Sequence, residues 1–122
     1  MAENSKKILV VDDQESIQKA LYHMLSSEGY EISTANNGQE ALDSINQNSF
    51  DLVISDINMP IMNGLELLKN MKANKINIPL LFITSSDKDE TLNEAVKFGI
   101  NGIIEKPFNM LSTLEIIREK IK

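Results

Sequence analysis

Short apolar runs alternate with amphipathic segments along the whole chain. The apolar runs are residues 8–11, 32–35, 52–54, 80–83 and 102–104. Most of them are continuously apolar, which is typical of strands that are covered on both faces. The pattern therefore predicts five strands of a parallel sheet.

Each predicted strand is followed by a segment with apolar residues at helical spacing. Asn37 with Glu40, and Asp87 with Glu90, have the spacing of a helix start, and Gly29 and Gly99 are placed to follow helix ends. Five strand–helix repeats in strict alternation predict an α/β fold, with helices on both faces of the sheet. The residues predicted to face inward are Ile17, Ala20, Leu21, Met24, Leu25, Ala41, Leu42, Ile45, Leu65, Leu68, Met71, Leu92, Ala95, Val96, Leu111, Leu114, Ile117 and Ile121.

The second strand, residues 31–35, is less apolar than the others because it contains Ser33 and Thr34. These residues favour an edge position. With that strand at an edge, the order 2-1-3-4-5 follows, which is the doubly wound sheet of the flavodoxin-like fold with five flanking helices. Ligands of such sheets bind beyond the carboxyl ends of the strands, where the strand order reverses.

Polar residues stand at those carboxyl ends. Asp12 and Asp13 follow the first strand, Asp56 the third, Thr84 the fourth and Lys106 the fifth. Two carboxylates about 5 Å apart repel by roughly 3 kcal/mol at an effective dielectric constant near 20. A bound cation removes this repulsion with all three carboxylates ionised. Oxygen ligands in a small site favour Mg²⁺, and Mn²⁺ also fits.

A structural explanation exists for each of these residues separately. Asp13 could be the N-cap of the first helix, Asp56 could cap the following loop, and Thr84 could cap the fourth helix. Helix capping does not explain why all of them fall at carboxyl ends, or why a lysine follows the fifth strand. A metal site with Asp56 as a nucleophile for phosphorus, and with Lys106 and the metal keeping its carboxyl ionised, is the better interpretation.

Composition narrows the possible partners. The chain has 122 residues, so we expect one domain over 1–122 with a core at about 6–121. Its net charge of −6 argues against direct contact with nucleic acid. There is no cysteine and only one histidine, His23, which excludes thiolate and multi-histidine metal sites. No apolar stretch has the length of a membrane span, so we expect no membrane insertion and a cytoplasmic protein.

The motifs at the strand ends resemble those of CheY-like response-regulator receiver domains. The resemblance covers nearly the whole chain and is specific because the motifs occur together, in order and at the right spacing. It rests on Ile-Leu-Val-Val-Asp-Asp at 8–13, on Asp-Leu-Val-Ile-Ser-Asp-Ile-Asn-Met-Pro-Ile-Met-Asn-Gly at 51–64, on Thr84, and on Lys-Pro-Phe at 106–108.

The resemblance implies a role for each matching residue. Asp56 would accept a phosphoryl group from a phosphohistidine, and Thr84 and Lys106 would contact the phosphoryl oxygens. Asp13 and Asp56 would bind Mg²⁺ directly, Asp12 largely through water and Asn58 through its backbone carbonyl. The bond between Lys106 and Pro107 would be cis.

The resemblance also implies partners. We expect a sensor histidine kinase or phosphotransfer protein as the donor, a downstream protein target on the surface of the fourth helix, fifth strand and fifth helix, and a monomer or weak dimer. The protein would be a switch, not an enzyme, promoting only its own phosphorylation and dephosphorylation. If the chain is complete, it would act as a stand-alone regulator without a DNA-binding domain.

One residue departs from the family pattern. Ile103 occupies a position near the start of the fifth strand where many receivers have an aromatic residue that swings inward as part of the switch. An alternative function is therefore a pseudo-receiver, a constitutive interaction module. A flavodoxin-like cofactor site is disfavoured by Asp12-Asp13-Gln14-Glu15, which would repel phosphate. Phosphatases with an aspartate nucleophile have an Asp-x-Asp pattern that this chain lacks.

Overall fold

The computed structural model describes residues 5–85, 90–106 and 109–121. Within them, five strands and five helices alternate strictly. The strands are β1 (Lys7–Val11), β2 (Glu31–Ala35), β3 (Leu52–Asp56), β4 (Leu80–Thr84) and β5 (Gly102–Glu105). The helices are α1 (Glu15–Ser26), α2 (Gly38–Gln47), α3 (Gly64–Ala73), α4 (Glu90–Lys97) and α5 (Met110–Lys120). No helix of the described residues has the length and apolar character needed to cross a membrane.

The five strands form one parallel sheet in the order β2-β1-β3-β4-β5. This confirms the predicted fold class and strand order, including the edge position of β2. Three of the five residues of β2 are exposed, whereas β4 is buried throughout. The polar residues of β2 are tolerated because this strand has a partner on one side only.

Alternate residues of each strand supply two separate cores. Leu9 and Val11 of β1 pack with α2, α3 and α4, whereas Ile8 and Val10 pack with α1 and α5. Successive side chains of a strand point to opposite faces, so a strand between two layers of helices must be apolar at every position. This explains the continuously apolar runs in the sequence.

Three residues predicted to face inward are exposed. Ala20 lies on the open side of α1, Val96 is 64% exposed on α4, and Leu111 is 73% exposed in the first turn of α5. Leu92 and Ala95 fix the buried face of α4, and one residue further along the helix turns Val96 away from the sheet. The predicted start of α4 at Asp87 lies outside the described residues.

The helix starts show the predicted side-chain capping in part. The side chain of Asn37 accepts the N–H of Glu40 at 2.9 Å, but the Glu40 carboxylate accepts the N–H of Asn36 instead of closing a capping box. A complete capping box occurs at α3, between Asn63 and Glu66. The N-cap of α1 is Gln14, so the alternative explanation of Asp13 as that cap is wrong.

Gly64, the first residue of α3, lies directly beneath the end of β3. A β-carbon at this position would lie 2.4 Å from the carbonyl oxygen of Asp56 and 3.0 Å from the ring of Phe82. Neither neighbour is the end of a flexible chain. The close approach of α3 to β3 therefore requires glycine here.

We predict that Gly64→Ala lowers the free energy of unfolding by about 2 kcal/mol or more, because backbone atoms must move to admit the methyl group. Gly29→Ala is the control, since Gly29 has φ +92° but open space around it, and its smaller loss reflects backbone strain alone. Urea unfolding of both variants measures the difference. Equal losses would contradict the steric explanation.

Candidate functional site

Five of the predicted site residues lie along one rim of the sheet, at the carboxyl ends of the strands. Asp12 and Asp13 follow β1, Asp56 ends β3, Thr84 ends β4, and Lys106 follows β5. One carboxylate oxygen from each aspartate lies within 4.8 Å of the other two. The structure therefore brings the three predicted acidic ligands together.

The strand register accounts for this convergence. Val11 of β1 pairs with Ser55 of β3, so the residues that follow them, Asp12 and Asp56, lie side by side. On the other side of β3, the backbone N–H of Lys106 donates to the carbonyl oxygen of Thr84 at 2.8 Å. This hydrogen bond continues the β4–β5 pairing and holds Lys106 at the same rim.

Asp12 is fully buried and incompletely hydrogen-bonded. Its Oδ1 accepts the backbone N–H of Gln14 at 2.8 Å. Its Oδ2 is a buried atom that has no hydrogen-bond partner within the described residues. A buried carboxylate oxygen normally has a partner, so this atom is available to a further group such as a bound cation.

Lys106 is the cation that faces the carboxylates. Its Nζ lies 3.9 Å from Oδ2 of Asp12 and 3.9 Å from Oδ1 of Asp56. Both distances exceed those of a hydrogen bond, so the ammonium acts on the carboxylates through its charge. One ammonium thus compensates two of the three acidic groups in part.

Asp56 lies between the other site residues and is partly open to solvent. Its side chain is 13% exposed, and its Oδ1 accepts the backbone N–H of Ile57 at 2.8 Å. Burial raises the pKa of Asp56 above its ordinary value, while Lys106 opposes the rise. Lys106 lowers the pKa of this carboxyl as expected, but the effect of burial is larger, so the ammonium without a metal does not bring the pKa down to its ordinary value.

The pKa of Asp12 is shifted further, to about 6 from an ordinary value of 3.8. Burial is the main cause, and the charge of Asp56 adds to it. The hydrogen bond from Gln14 and the charge of Lys106 act in the opposite direction. Ionisation of the acidic cluster is therefore unfavourable in the folded protein, and a bound cation would make it more favourable.

For the remaining predicted site residues, the structure gives the position and burial of Thr84, Asn58 and Ile103 but does not describe Pro107. Thr84 is buried at the end of β4 and Asn58 is exposed in the loop after β3. Ile103 is partly buried and packs against the core on the α2–α3–α4 face of the sheet. Pro107, and with it the predicted cis bond, lies outside the described residues.

Sequence reasoning missed Gln18, a polar residue of α1 that joins the ends of two strands. Its side-chain amide donates to the backbone carbonyl of Asp12, to that of Ala35 at 3.2 Å and to the side chain of Asn36 at 2.9 Å. Gln18 thereby fixes the backbone that carries Asp12. Nothing in the sequence distinguishes this residue from the other polar residues of α1.

The loop after Asp56 contains a strained turn. The N–H of Met62 donates to the carbonyl of Pro60 at 2.7 Å, which closes a three-residue turn with Ile61 at its centre and φ +68°. This is the rarer form of the γ-turn, with a positive central φ. Such a conformation costs about 1–3 kcal/mol.

The donor set of the site fits a hard divalent cation. Three carboxylates supply oxygen atoms only, and the buried Oδ2 of Asp12 has no hydrogen-bond partner within the described residues. Oxygen ligands of this kind favour Mg²⁺ and accept Mn²⁺. Asp12, Asp13 and Asp56 are therefore the residues that would hold the ion.

Comparison with known proteins decides the family. The family described as the response regulator receiver domain matches residues 8–118. The chain belongs to that family. Receiver domains of two-component signalling generally depend on Mg²⁺, and they interact with histidine kinases and downstream targets. The acidic cluster of this receiver has the composition of a phosphorylation and metal site.

Relatives of two sizes match the receiver. Chemotaxis protein CheY-3 of Vibrio cholerae is 37% identical over 118 residues, covering 94% of this chain and 88% of that protein. The phosphatase-synthesis regulator PhoP of Bacillus subtilis is 35% identical over 105 residues, covering 86% of this chain and 44% of that protein. The probable transcriptional regulator ycf29 of Pyropia yezoensis is 38% identical, covering 96% of this chain. The receiver thus spans about half the length of these two regulators, 44% and 54%.

Solved structures show the same fold. CheY4 of Vibrio cholerae superposes with a TM-score of 0.89 at 36% identity, covering 95% of this chain and 98% of that one. A CheY-like receiver domain of Methanospirillum hungatei superposes with a TM-score of 0.90 at 32% identity, covering 97% and 94%. The solved structures therefore assign the chain the same receiver fold that the family match indicates.

We predict that the metal-free receiver becomes less stable as the pH rises. The folded pKa of Asp12 lies above its ordinary value of 3.8, so its contribution to stability is full below that pH and is lost as the pH rises through about 6. The shift corresponds to about 3 kcal/mol. Urea unfolding in the presence of a chelator, between about pH 4 and about pH 7, measures the slope.

Asp12→Asn is the control, because it removes the titrating group and leaves the raised pKa of Asp56 in place. Its stability should change less with pH, and at neutral pH it should exceed that of the unaltered protein. An unchanged slope in this variant would contradict the assignment to Asp12.

Proposed function

We propose that this receiver is a phosphoacceptor of a two-component system or phosphorelay, in which Asp56 takes a phosphoryl group from a phosphohistidine. One observation carries the proposal. Asp56 ends the central strand β3, its carboxylate lies beside two further carboxylates and 3.9 Å from an ammonium, and its side chain is 13% exposed, whereas that of Asp12 is fully buried. Nucleophile and charge-neutralising groups thus lie within one small region.

The chemical step requires an ionised carboxylate. An oxygen of Asp56 forms the new bond to phosphorus, while the P–N bond to the donor imidazole breaks and its electron pair stays on that nitrogen. Negative charge spreads over the phosphoryl oxygens during transfer. Lys106, whose Nζ lies 3.9 Å from Asp56, would interact with one of these oxygens, and Thr84, which ends β4, would donate to another.

Asp12, Asp13 and Asp56 would hold Mg²⁺, with the backbone carbonyl of Asn58 as a further ligand. The ion, when bound, neutralises charge on the phosphoryl group and on the carboxylates around it. The residues of this chain orient the acceptor oxygen and exclude solvent from Asp12. No second substrate is turned over, so the protein promotes only its own phosphorylation and dephosphorylation.

The output surface is proposed to be the one formed by α4, β5 and α5. Phosphorylation gives Thr84 and Lys106 a dianionic partner and so shifts the populations of the surrounding loops. In the described residues, four large hydrophobic side chains are exposed on or next to α4 and α5, as expected of a surface that contacts protein. They are Val96, Phe98, Met110 and Leu111.

The donor is proposed to be a sensor histidine kinase or a phosphotransfer protein, and the target a protein. Ile103 replaces an aromatic switch residue, so the movement that links the site to the output surface is smaller in this chain than in receivers with an aromatic residue there. A constitutive pseudo-receiver is the alternative. Phosphorylation at Asp56 distinguishes the two.

We predict that acetyl phosphate with Mg²⁺ adds one phosphoryl group to the protein, and that a chelator prevents this. Asp56→Ala should not be phosphorylated because it lacks the acceptor oxygen. Asp51→Ala is the matched control at the opposite end of β3, where Asp51 accepts the backbone N–H of Lys7. It should be phosphorylated normally. Intact-mass spectrometry reads the result.

Each result of this experiment has one meaning. Modification of Asp56→Ala would show that another residue is the acceptor. Absence of modification in the unaltered protein, while Mg²⁺ binding is detected by calorimetry, would favour the pseudo-receiver. Equal modification with and without Mg²⁺ would remove the metal from the proposed chemistry.

We also predict that Asn58→Lys lengthens the lifetime of the phosphorylated protein. Asn58 is exposed two residues after Asp56, and a longer cationic side chain there would cover the path by which water reaches phosphorus. Decay after removal of the phosphodonor is followed by intact mass. Asn58→Ala, which leaves this path open, is the control. A lifetime that is unchanged or shorter in Asn58→Lys would contradict the prediction.

A further inference from the structure

Ile61 has two unfavourable properties at once. Its side chain is 80% exposed, the highest value among the large hydrophobic residues that the structure describes, and its φ is +68°. Positive φ is unfavourable for a β-branched residue, because the branched side chain crowds the backbone. Glycine would occupy this position without that strain.

The fold does not require isoleucine at this position. The turn is closed by backbone atoms of Pro60 and Met62, and the carbonyl of Met62 accepts the N–H of Gly38 at 2.8 Å. Both hydrogen bonds use backbone atoms of other residues only, so neither depends on the side chain at position 61. The exposed side chain contributes little to the core. A reason for isoleucine at this position must therefore be sought in a contact with another molecule.

The position of Ile61 indicates what it contacts. It lies in the loop that begins at Asp56 and ends at Asn63, the N-cap of α3. A protein that brings a phosphohistidine to Asp56 must cover this rim of the sheet. A phosphoryl donor is anionic and the protein carries a net charge of −6, so long-range electrostatics oppose the encounter. An apolar contact attracts the donor protein independently of charge.

We propose that Ile61 is a recognition contact for the phosphodonor protein, presented by the strained turn to an apolar patch beside the donor histidine. This proposal rests on the function proposed above. A small phosphodonor has no surface to meet Ile61, so the residue affects transfer from a protein only. The strained turn lowers the folding stability, and in return it exposes the Ile61 side chain to the donor protein.

The test compares two glycine variants at positions of positive φ. Lys75, with φ +57°, lies between α3 and the amino end of β4, at the opposite end of the sheet from the site. Ile61→Gly and Lys75→Gly both remove backbone strain, and both carry the same added entropy of glycine in the unfolded chain. Ile61→Val keeps the strain and most of the apolar surface.

Two measurements are made on each variant. The first is the melting temperature, which we expect to rise by about 3 °C or more in Ile61→Gly and to stay near that of the unaltered protein in Ile61→Val. The second is the rate of phosphotransfer from a purified histidine kinase that has been autophosphorylated with ATP, chosen from a panel as the fastest donor to the unaltered protein. We expect about a fivefold or greater loss in kcat/KM for Ile61→Gly, and rates close to the original for Lys75→Gly and Ile61→Val.

Acetyl phosphate separates this proposal from the proposed function. All variants should be phosphorylated by it at the rate of the unaltered protein. Normal transfer from the kinase to Ile61→Gly would overturn the recognition role and leave the phosphoacceptor function intact. An equal loss with acetyl phosphate and kinase would assign Ile61 to the chemistry of the site, and an unchanged melting temperature would overturn the strain argument. If no kinase in the panel transfers to the unaltered protein, the proposed donor class and the recognition role both fail.

Discussion

The rest of the site depends on the mutual repulsion of carboxylates that the sheet holds at one rim. Oxygens of Asp12, Asp13 and Asp56 lie within 4.8 Å of one another, and Asp12 is fully buried. Lys106 is 3.9 Å from two of them and makes no hydrogen bond at that distance. A cation or a new charged group at this rim therefore changes the electrostatic energy of the site strongly.

The fold could be predicted almost completely from the sequence, because a sheet between two layers of helices imposes an unusual pattern. Strands buried on both faces are continuously apolar, and the exception, β2 with Ser33 and Thr34, correctly indicated an edge. The errors arose where a helix turns an apolar residue outward. Val96 and Leu111 follow the hydrophobic pattern but are exposed, because the pattern alone does not show which apolar residues meet a neighbour.

The candidate site was predictable for a related reason. Residues that follow parallel strands meet at one rim, so Asp12, Asp56 and Lys106 could be placed together before any coordinates were known. Gln18 and Ile61 could not. The role of Gln18 depends on the direction of one side chain on a polar helix face, and the role proposed for Ile61 depends on a backbone angle that isoleucine does not favour. Neither property is visible in residue type or spacing.

The two sides of Asp56 differ in how they can respond to a new charge. Towards α2 and α3, two backbone hydrogen bonds fix the loop between β3 and α3. The N–H of Gly38 donates to the carbonyl of Met62, and the N–H of Gly64 donates to the carbonyl of Ile57, both at 2.8 Å. The close approach at Gly64 leaves no room for that loop to move inward.

Towards β4 and β5, the ammonium of Lys106 makes no hydrogen bond to the carboxylates and can shift without breaking one. The surroundings of a charge added at Asp56 can therefore adjust more readily on the side of Lys106 than on the side of the loop. That direction leads to β5 and the helices beside it, which is where the exposed apolar residues of α4 and α5 lie. The asymmetry of the rim thus gives a physical argument for the proposed output surface on this side of the sheet.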